Sequence, residues 1–182
     1  MASMAENVMT MSLLDKGINA GIKLLKDIRY EVSDDSFVVG LRFEDYVEDL
    51  FSDKYFSVVE KTHSTETNQE RYVESSMNPD FVFRYAPSGE MFAVECKYRS
   101  GLNNGMLEWT YPKQLGRYRK FAQERKMPVY IVIGLDGDDD APDRMFNIPL
   151  EEAKYPKLYP SVFNRFERPP EKSFFWKNGK LY

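Results

Sequence analysis

The sequence has a single cysteine, Cys96, and a single histidine, His63, in a chain of 182 residues. One cysteine excludes an intramolecular disulfide framework and a multi-cysteine zinc site. One histidine excludes the paired histidines that hold zinc in metalloproteases. The motifs GxGxxG, GxxxxGK[ST] and GxSxG are absent too, which excludes the common phosphate-binding loops and the serine-hydrolase elbow.

Long apolar runs and an excess of positive charge are also missing. No run approaches the roughly 18 apolar residues of a membrane span, and residues 1–12 lack the apolar block of a signal peptide. The 25 Lys and Arg stand against 29 Asp and Glu, a net charge of −4. This balance excludes a strongly basic coat protein but not a local basic face. We expect a cytoplasmic protein without membrane contact.

Aromatic side chains are abundant, at 15% of the chain, which argues against disorder throughout. The length fits one domain, residues 1–182. Periodicity and turn residues predict these parts: a helical N-terminal extension (1–39), helix 40–52, strand 55–60, hairpin 80–98, helix 112–126, strand 129–135, and a C-terminal extension (136–182) with a terminal hairpin. Segments 31–37 and 136–144 read as loops, and 61–76 as either a strand extension or a loop. This order predicts an α/β fold with a mixed sheet flanked by helices.

Charged residues stand out in the predicted hairpin. If Tyr85 pairs with Glu90 across the turn, Asp80 lies opposite Glu95. Glu95 and Lys97 are two residues apart on one strand and share a face, whereas Cys96 points to the apolar face. Two carboxylates would then converge beside one ammonium group. Because like charges on one sheet face repel, a divalent cation such as Mg²⁺ would stabilise them.

These residues resemble a known family. Pro79-Asp80 followed by Glu95-Cys96-Lys97 resembles the signature of the PD-(D/E)xK nucleases, the restriction-endonuclease-like superfamily. Residues 40–47 resemble its first-helix pattern G-x-x-F-E-x-x-V, and residues 114–118 resemble the Q-x-x-x-Y element of RecB-type members. The resemblance covers roughly residues 40–135. It implies the αβββαβ core of that superfamily.

The resemblance also implies catalytic roles. Asp80 and Glu95 would ligate Mg²⁺, for which Mn²⁺ can substitute, with help from the backbone carbonyl of Cys96. Glu44 would ligate through water or hold a second metal ion. Lys97 would orient or activate the attacking water, or stabilise developing charge.

Further roles follow for the second helix. Gln114 would orient Lys97 or a ligand, and Tyr118 would support it or pack in the core. Nucleic-acid contacts are expected from residues near the site, namely Lys113, Arg117, Lys120, Tyr118 and Arg99. For the three basic helix residues a solvated charged face is the alternative.

The sequence therefore predicts a metal-dependent deoxyribonuclease that hydrolyses phosphodiester bonds with metal-activated water. It leaves open whether the enzyme is an endonuclease or an exonuclease. DNA is preferred to RNA only because most members of the superfamily act on DNA. A homodimer or a larger complex stays open. The alternative is a catalytically inactive module of the same fold that binds nucleic acid or a partner protein.

Overall fold

The computed structural model describes residues 35–62 and 78–182. Its contacts divide the chain into two compact units, Met1–Leu41 and Arg42–Tyr182. Of the first unit the structure describes residues 35–41, which are helical. The predicted helix at 8–30, His63 and most of the 61–76 segment lie outside the described residues.

The elements of the described residues follow the predicted order. They are α1 (Asp35–Asp49), β1 (Phe56–Lys61), β2 (Phe81–Tyr85), β3 (Met91–Arg99), β4 (Leu107–Glu108), α2 (Pro112–Arg125), β5 (Val129–Asp138), β6 (Ala141–Pro149), β7 (Lys157–Leu158), α3 (Pro160–Phe163), a 3₁₀ turn (Asn164–Phe166), β8 (Glu167–Arg168), β9 (Trp176–Lys177) and β10 (Lys180–Leu181).

The central sheet has six strands in the order β1-β2-β3-β5-β6-β8. Strands β3 and β5 are parallel and are joined through α2, whereas the other neighbours are antiparallel. A parallel pair needs such a crossover, and a helix is its usual form. The α/β class with a mixed sheet and the αβββαβ order of the core elements are confirmed.

Each face of the sheet carries its own apolar core. On one face Phe43 and Val47 of α1, together with Phe51 just after the helix, cluster with inward side chains of β2, β3 and β5. On the other face the α2 residues Leu115, Tyr118 and Phe121 cluster with the alternate side chains of the same sheet. Strand alternation thus assigns neighbouring residues of β3 to opposite faces.

The predicted hairpin register is confirmed. Phe81 pairs with Val94 and Phe83 with Phe92, and the backbone N–H of Tyr85 donates to the carbonyl of Glu90 at 2.8 Å. The terminal hairpin is confirmed as well. Its turn residues Asn178 and Gly179 have φ angles of 52° and 72°, as a two-residue turn of the hairpin type requires.

Two predicted loops differ from the structure. Helix α1 begins at Asp35, inside the predicted 31–37 loop. The predicted loop 136–144 is a hairpin, since β5 continues to Asp138 and β6 begins at Ala141. The sequence pattern predicts a loop here because aspartate and glycine have low strand propensity. In the structure, backbone pairing across the hairpin outweighs that low propensity. Tyr111, which directly precedes α2, is 51% exposed, whereas Phe121 of the helix is buried.

None of the helices within residues 35–62 and 78–182 has both the length and the apolar character that a membrane crossing needs.

Candidate active site

Strands β2 and β3 bring the two predicted carboxylates together. Asp80 directly precedes β2, and the observed register places it opposite Glu95. Both side chains are buried. The Oδ2 atom of Asp80 accepts a hydrogen bond of 2.7 Å from the backbone N–H of Cys96. This bond fixes the Asp80 carboxylate against the middle of β3.

Glu95 is the centre of this cluster and is 1% exposed. Its Oε1 atom lies 2.5 Å from the Nζ atom of Lys97 and accepts a 2.5 Å hydrogen bond from the Tyr118 hydroxyl. Its Oε2 atom is buried without a hydrogen-bond partner among the described residues. An unsatisfied buried polar atom costs about 1–3 kcal/mol. The Oε2 atom is therefore the point at which this site can accept a further ligand.

The environment of Glu95 raises the pKa of its carboxyl group in the protein without metal. Burial, reinforced by the negative charge of Asp80, raises its pKa from 4.5 to about 7, although Lys97 and Tyr118 act in the opposite direction. A cation beside Glu95 and Asp80 would reverse both effects, because positive charge stabilises the carboxylate form.

Lys97 is held as a cation. Burial lowers its pKa, but the carboxylates of Glu95 and Asp80 raise the pKa by a larger amount. The pKa of Lys97 therefore lies above the ordinary lysine value. Lys97 thus donates hydrogen bonds at neutral pH. Burial and the same Glu95 carboxylate raise the pKa of Tyr118 well above its ordinary value, so this hydroxyl also donates.

Glu44 of α1 approaches the same strand from the other face of the sheet. It is buried at 6% exposure. Burial and then the negative charges of Asp80, Glu44 and Glu95 raise the pKa of the Cys96 thiol. The three predicted carboxylates therefore all act on one position of β3. Cys96 is the buried thiol that the sequence predicts.

Helix α2 contributes two residues in different ways. Tyr118 is 1% exposed and stacks on Trp109, with ring centroids 6.1 Å apart. Its hydroxyl contacts Glu95 inside the protein. Because the side chain is buried, it has no surface available for a nucleic-acid contact. Gln114 accepts a 2.7 Å hydrogen bond from the Thr110 hydroxyl. Within the described residues Gln114 makes no hydrogen bond to Lys97, the predicted partner.

Arg99 anchors a loop. Its guanidinium donates to the backbone carbonyls of Glu108, Trp109 and Tyr98 at 2.7, 2.8 and 2.7 Å. Two of its nitrogen atoms thus bind the segment that leads from β3 into α2, and the third binds the backbone of β3 itself. The nucleic-acid contact predicted for Arg99 would have to compete with these bonds.

The predicted basic row lies on the outer side of α2. Lys113 and Lys120 are exposed and Arg117 is half-buried. Lys120 pairs with Glu124 at 3.7 Å, and both side chains are mostly exposed. Such a pair contributes little energy. The row therefore remains accessible to a phosphate backbone.

The donor set fits a hard divalent cation of the magnesium kind. Within the part of the chain that the structure describes, no three His, Cys, Asp or Glu side chains are close enough to form a metal cage by themselves. Mg²⁺ rarely uses such a cage, because it keeps several waters and takes one or two carboxylates together with substrate phosphates. Asp80 and the unpartnered Oε2 atom of Glu95 supply that number of ligands.

Sequence reasoning missed the residues that position the site. The backbone N–H of Thr62 donates to the carbonyl of Asp80 at 2.8 Å, and its hydroxyl donates to the carbonyl of Pro79 at 2.5 Å. Thr62 thus secures the Pro79-Asp80 backbone from the neighbouring strand. No sequence signal links residues this far apart. Thr110, four residues before Gln114, could have been found as a partner at the helix start.

Comparison with known proteins adds a distant structural likeness. No family model matches the chain, and no curated protein matches it. Among solved structures it is similar to Hjc, a Holliday junction resolvase from the archaeal hyperthermophile Archaeoglobus fulgidus. The identity is 18% and the TM-score 0.48, over 69% of this chain and 93% of that chain.

Proposed function

We propose that this protein is a metal-dependent nuclease of the PD-(D/E)xK kind that hydrolyses phosphodiester bonds of DNA. The observation that carries the proposal is the Asp80–Glu95–Lys97 cluster, in which the buried Oε2 atom of Glu95 has no hydrogen-bond partner among the described residues. A cluster that served packing alone would gain nothing from two buried carboxylates side by side.

Asp80 and Glu95 would hold Mg²⁺ or Mn²⁺, together with the backbone carbonyl of Cys96. Glu44 would support the ion through water or hold a second one. The ion would supply Lewis acidity, which acidifies a bound water and neutralises charge on the phosphate. The remaining steps fall to side chains of this chain.

Lys97 would act as a positioned cation. Its Nζ atom lies 2.5 Å from Glu95 Oε1 and carries a proton at neutral pH. It would donate to the attacking water or to a phosphate oxygen, and it would stabilise the negative charge that develops in the transition state. Tyr118 would hold the Glu95 carboxylate in one orientation, and Gln114 would orient a ligand at the start of α2.

Nucleic acid would approach along the outer side of α2. Lys113, Arg117 and Lys120 would contact phosphates of the backbone. Binding of this kind releases counterions and weakens as salt is added. The small number of basic residues suits a local contact rather than a long basic groove.

The test is a nuclease assay of the wild type and of Lys97→Ala with supercoiled, linear, single-stranded and branched DNA and with RNA, in Mg²⁺, Mn²⁺ or EDTA. We expect metal-dependent cleavage by the wild type and a loss of at least about a hundredfold in Lys97→Ala, as for removal of one transition-state donor. Lys54→Ala, which removes an exposed lysine outside the site, should cleave normally.

Binding of Mn²⁺, measured by calorimetry, separates the two functional classes. Cleavage that vanishes in EDTA and in Lys97→Ala supports the nuclease. A folded wild type that binds Mn²⁺ but cleaves none of the substrates contradicts it and favours the inactive module. Absence of both Mn²⁺ binding and cleavage would overturn the metal site as well.

A further inference from the structure

A cleft of about 550 Å³ lies between the ends of β5 and β6, the β8 segment and the terminal hairpin. Asn147 of β6 lines it and pairs with Val132 of β5. Val132 belongs to the core cluster of α1, whereas Glu95 pairs with Ile131 of the opposite cluster. Paired residues share a face of the sheet. Asn147 is therefore on the opposite face of the sheet from Glu95.

Two buried polar groups at this cleft lack partners. Asn147 is 8% exposed, and its side-chain N–H donates to the carbonyl of Leu181 at 2.9 Å. Among the described residues, neither its Oδ1 atom nor the Nη1 atom of Arg168 has a hydrogen-bond partner. The Asn147 oxygen needs a hydrogen-bond donor, and the Arg168 nitrogen needs an acceptor. A ligand that satisfies both groups therefore carries both kinds of atom.

The charges at the cleft favour an anion. Its charged residues are Arg165, Arg168, Lys172, Lys180, Glu151, Glu152 and Glu167. Glu152 is paired with Arg165 at 3.8 Å, and Glu167 is paired with Arg144, outside the cleft, at 2.7 Å. Among the lining side chains, Arg168, Lys172 and Lys180 remain against the Glu151 carboxylate, and the charge of Glu171 also acts on Arg168. The positive charge of the lining side chains suits a phosphate group.

One wall of the cleft is aromatic. Phe175 and Tyr182 stack with centroids 5.1 Å apart and an angle of 12° between rings. They are 42% and 48% exposed. Partly exposed, rigid rings are surfaces on which nucleobases stack. The volume of the cleft lies in the range of small-molecule sites, which is roughly 300–1,000 Å³.

From this combination we propose that the cleft binds a phosphorylated nucleotide. The phosphate lies among Arg168, Lys172 and Lys180, the base stacks against the aromatic wall, and a base N–H group donates to Asn147 Oδ1. The same chemistry has two sources, a free nucleoside monophosphate and a phosphorylated end of a DNA strand. The site does not depend on the proposed nuclease chemistry.

Calorimetric titration of the full chain in EDTA tests the site while the proposed metal site holds no metal. The probes are deoxyadenosine 5′-monophosphate, deoxyadenosine, 2-deoxyribose 5-phosphate, inorganic phosphate, and a short single strand with or without a 5′-phosphate. We expect the monophosphate to bind about tenfold more tightly than either the nucleoside or the sugar phosphate, because each lacks one recognised group. Tighter binding of the phosphorylated strand than of the mononucleotide would identify a strand end as the source, and the reverse a free nucleotide.

A pair of matched variants locates the site. Lys172→Ala/Lys180→Ala removes two exposed lysines of the cleft, and Lys54→Ala/Lys154→Ala removes two exposed lysines outside it. Both carry the same change of net charge and leave the core intact. We expect the first to weaken mononucleotide binding about tenfold and the second to leave it unchanged. Shifts of the Asn147 side-chain amide in NMR spectra should accompany binding.

Three outcomes overturn the proposal. These are no binding of the mononucleotide at millimolar concentration, equal binding of inorganic phosphate and of the mononucleotide, and an equal loss of affinity in the two lysine variants. Nuclease activity is not a readout here, so a failure of this site leaves the nuclease proposal as it stands.

Discussion

At the candidate active site, the side chain of Glu95 combines burial with incomplete hydrogen bonding. One of its oxygens accepts from Lys97 and Tyr118, and the other is buried without a hydrogen-bond partner among the described residues. A half-satisfied buried carboxylate is worse for stability than an apolar side chain of the same size. Its presence is explained if the free oxygen takes a metal ion in the working protein.

Tyr118→Phe should weaken the site without unfolding it. The variant removes only the hydroxyl that donates to Glu95 at 2.5 Å, and it keeps the ring that stacks on Trp109. We expect the affinity for Mn²⁺ to fall about fivefold to tenfold, since one hydrogen bond to a charged group is lost. Calorimetry measures this, with the exposed Tyr155→Phe as the control. An unchanged affinity would show that Tyr118 is only a packing residue.

The stability of the metal-free protein should depend on Glu95 and on pH. Folding raises the pKa of this carboxyl from 4.5 to about 7. Between these values the folded state binds more protons than the unfolded state, so the free energy of unfolding falls as the pH rises through about 7. The stabilisation is fully present below the unfolded value of 4.5. Urea unfolding in EDTA at pH 5 to 8 measures the effect.

The matched variant for this experiment is Glu95→Gln, which cannot ionise. Relative to it, we expect the wild type to lose about 1–3 kcal/mol between pH 5 and pH 8. Millimolar Mg²⁺ should reduce the loss, because an ion that ligates the carboxylate stabilises the folded state. A wild type whose stability stays constant or rises with pH relative to Glu95→Gln would contradict the raised pKa.

Helix α1 is positioned by a close approach to β5. A Cβ atom at Gly134 would lie 2.5 Å from the Cε2 atom of Phe43, and Phe43 is fully buried. The ring therefore has little space into which to move. Because Glu44 follows Phe43 in the helix, this contact also determines where the Glu44 carboxylate lies relative to β3.

Gly134→Ala should therefore destabilise the fold by about 1–3 kcal/mol, as overpacking does. In the double variant Gly134→Ala/Phe43→Leu the smaller side chain relieves the clash, so the two effects should be less than additive. Chemical denaturation of the two single variants and the double variant measures the coupling.

Gly116 in α2 is the matched control. A Cβ atom there would have no neighbour within 4 Å, and alanine is the better helix former. Gly116→Ala should stabilise the protein by about 0.5–1 kcal/mol. Equal effects of the two substitutions would show that the contact with Phe43 does not constrain the helix.

Across the whole described structure, the C-terminal residues belong to the central architecture. Strands β6 and β8 extend the sheet of β5. Trp176 of the terminal hairpin stacks on Phe92 of β3 at 4.6 Å and donates from its indole nitrogen to Glu90 at 2.8 Å. The end of the chain thus covers the hairpin that carries Glu95.

Trp176→Ala should cost about 3–5 kcal/mol, as expected for truncation of a large buried aromatic side chain. The exposed Tyr155, which is 70% exposed, supplies the control Tyr155→Ala, and its effect should stay within about 0.5 kcal/mol. Thermal unfolding of both variants measures the difference. A small effect of Trp176→Ala would mean that the terminal hairpin is not integral to the fold.

Local patterns were sufficient for much of the architecture. The hairpin register followed from one turn, because a short connection leaves few pairings for strands with one buried face. The buried strand β5 followed from its continuous apolar run. The β5–β6 hairpin was not predicted, since its aspartate and glycine residues have low intrinsic preference for strands. The start of α1 was not predicted although Asp35 and Ser36 are residue types that favour a helix N-terminus.

The sequence by itself determined the order of the core elements and the facing of Asp80 and Glu95, because both depend on short-range periodicity and on one turn. Only the tertiary structure decided the surroundings of that pair. These surroundings consist of contacts between residues that are distant in sequence or separated by irregular backbone. They are the contacts of the Tyr118 hydroxyl with Glu95, of Thr62 with the backbone of Asp80, and of Arg99 with the backbone before α2. Such contacts arise when the two faces of the sheet pack, and no local pattern encodes them.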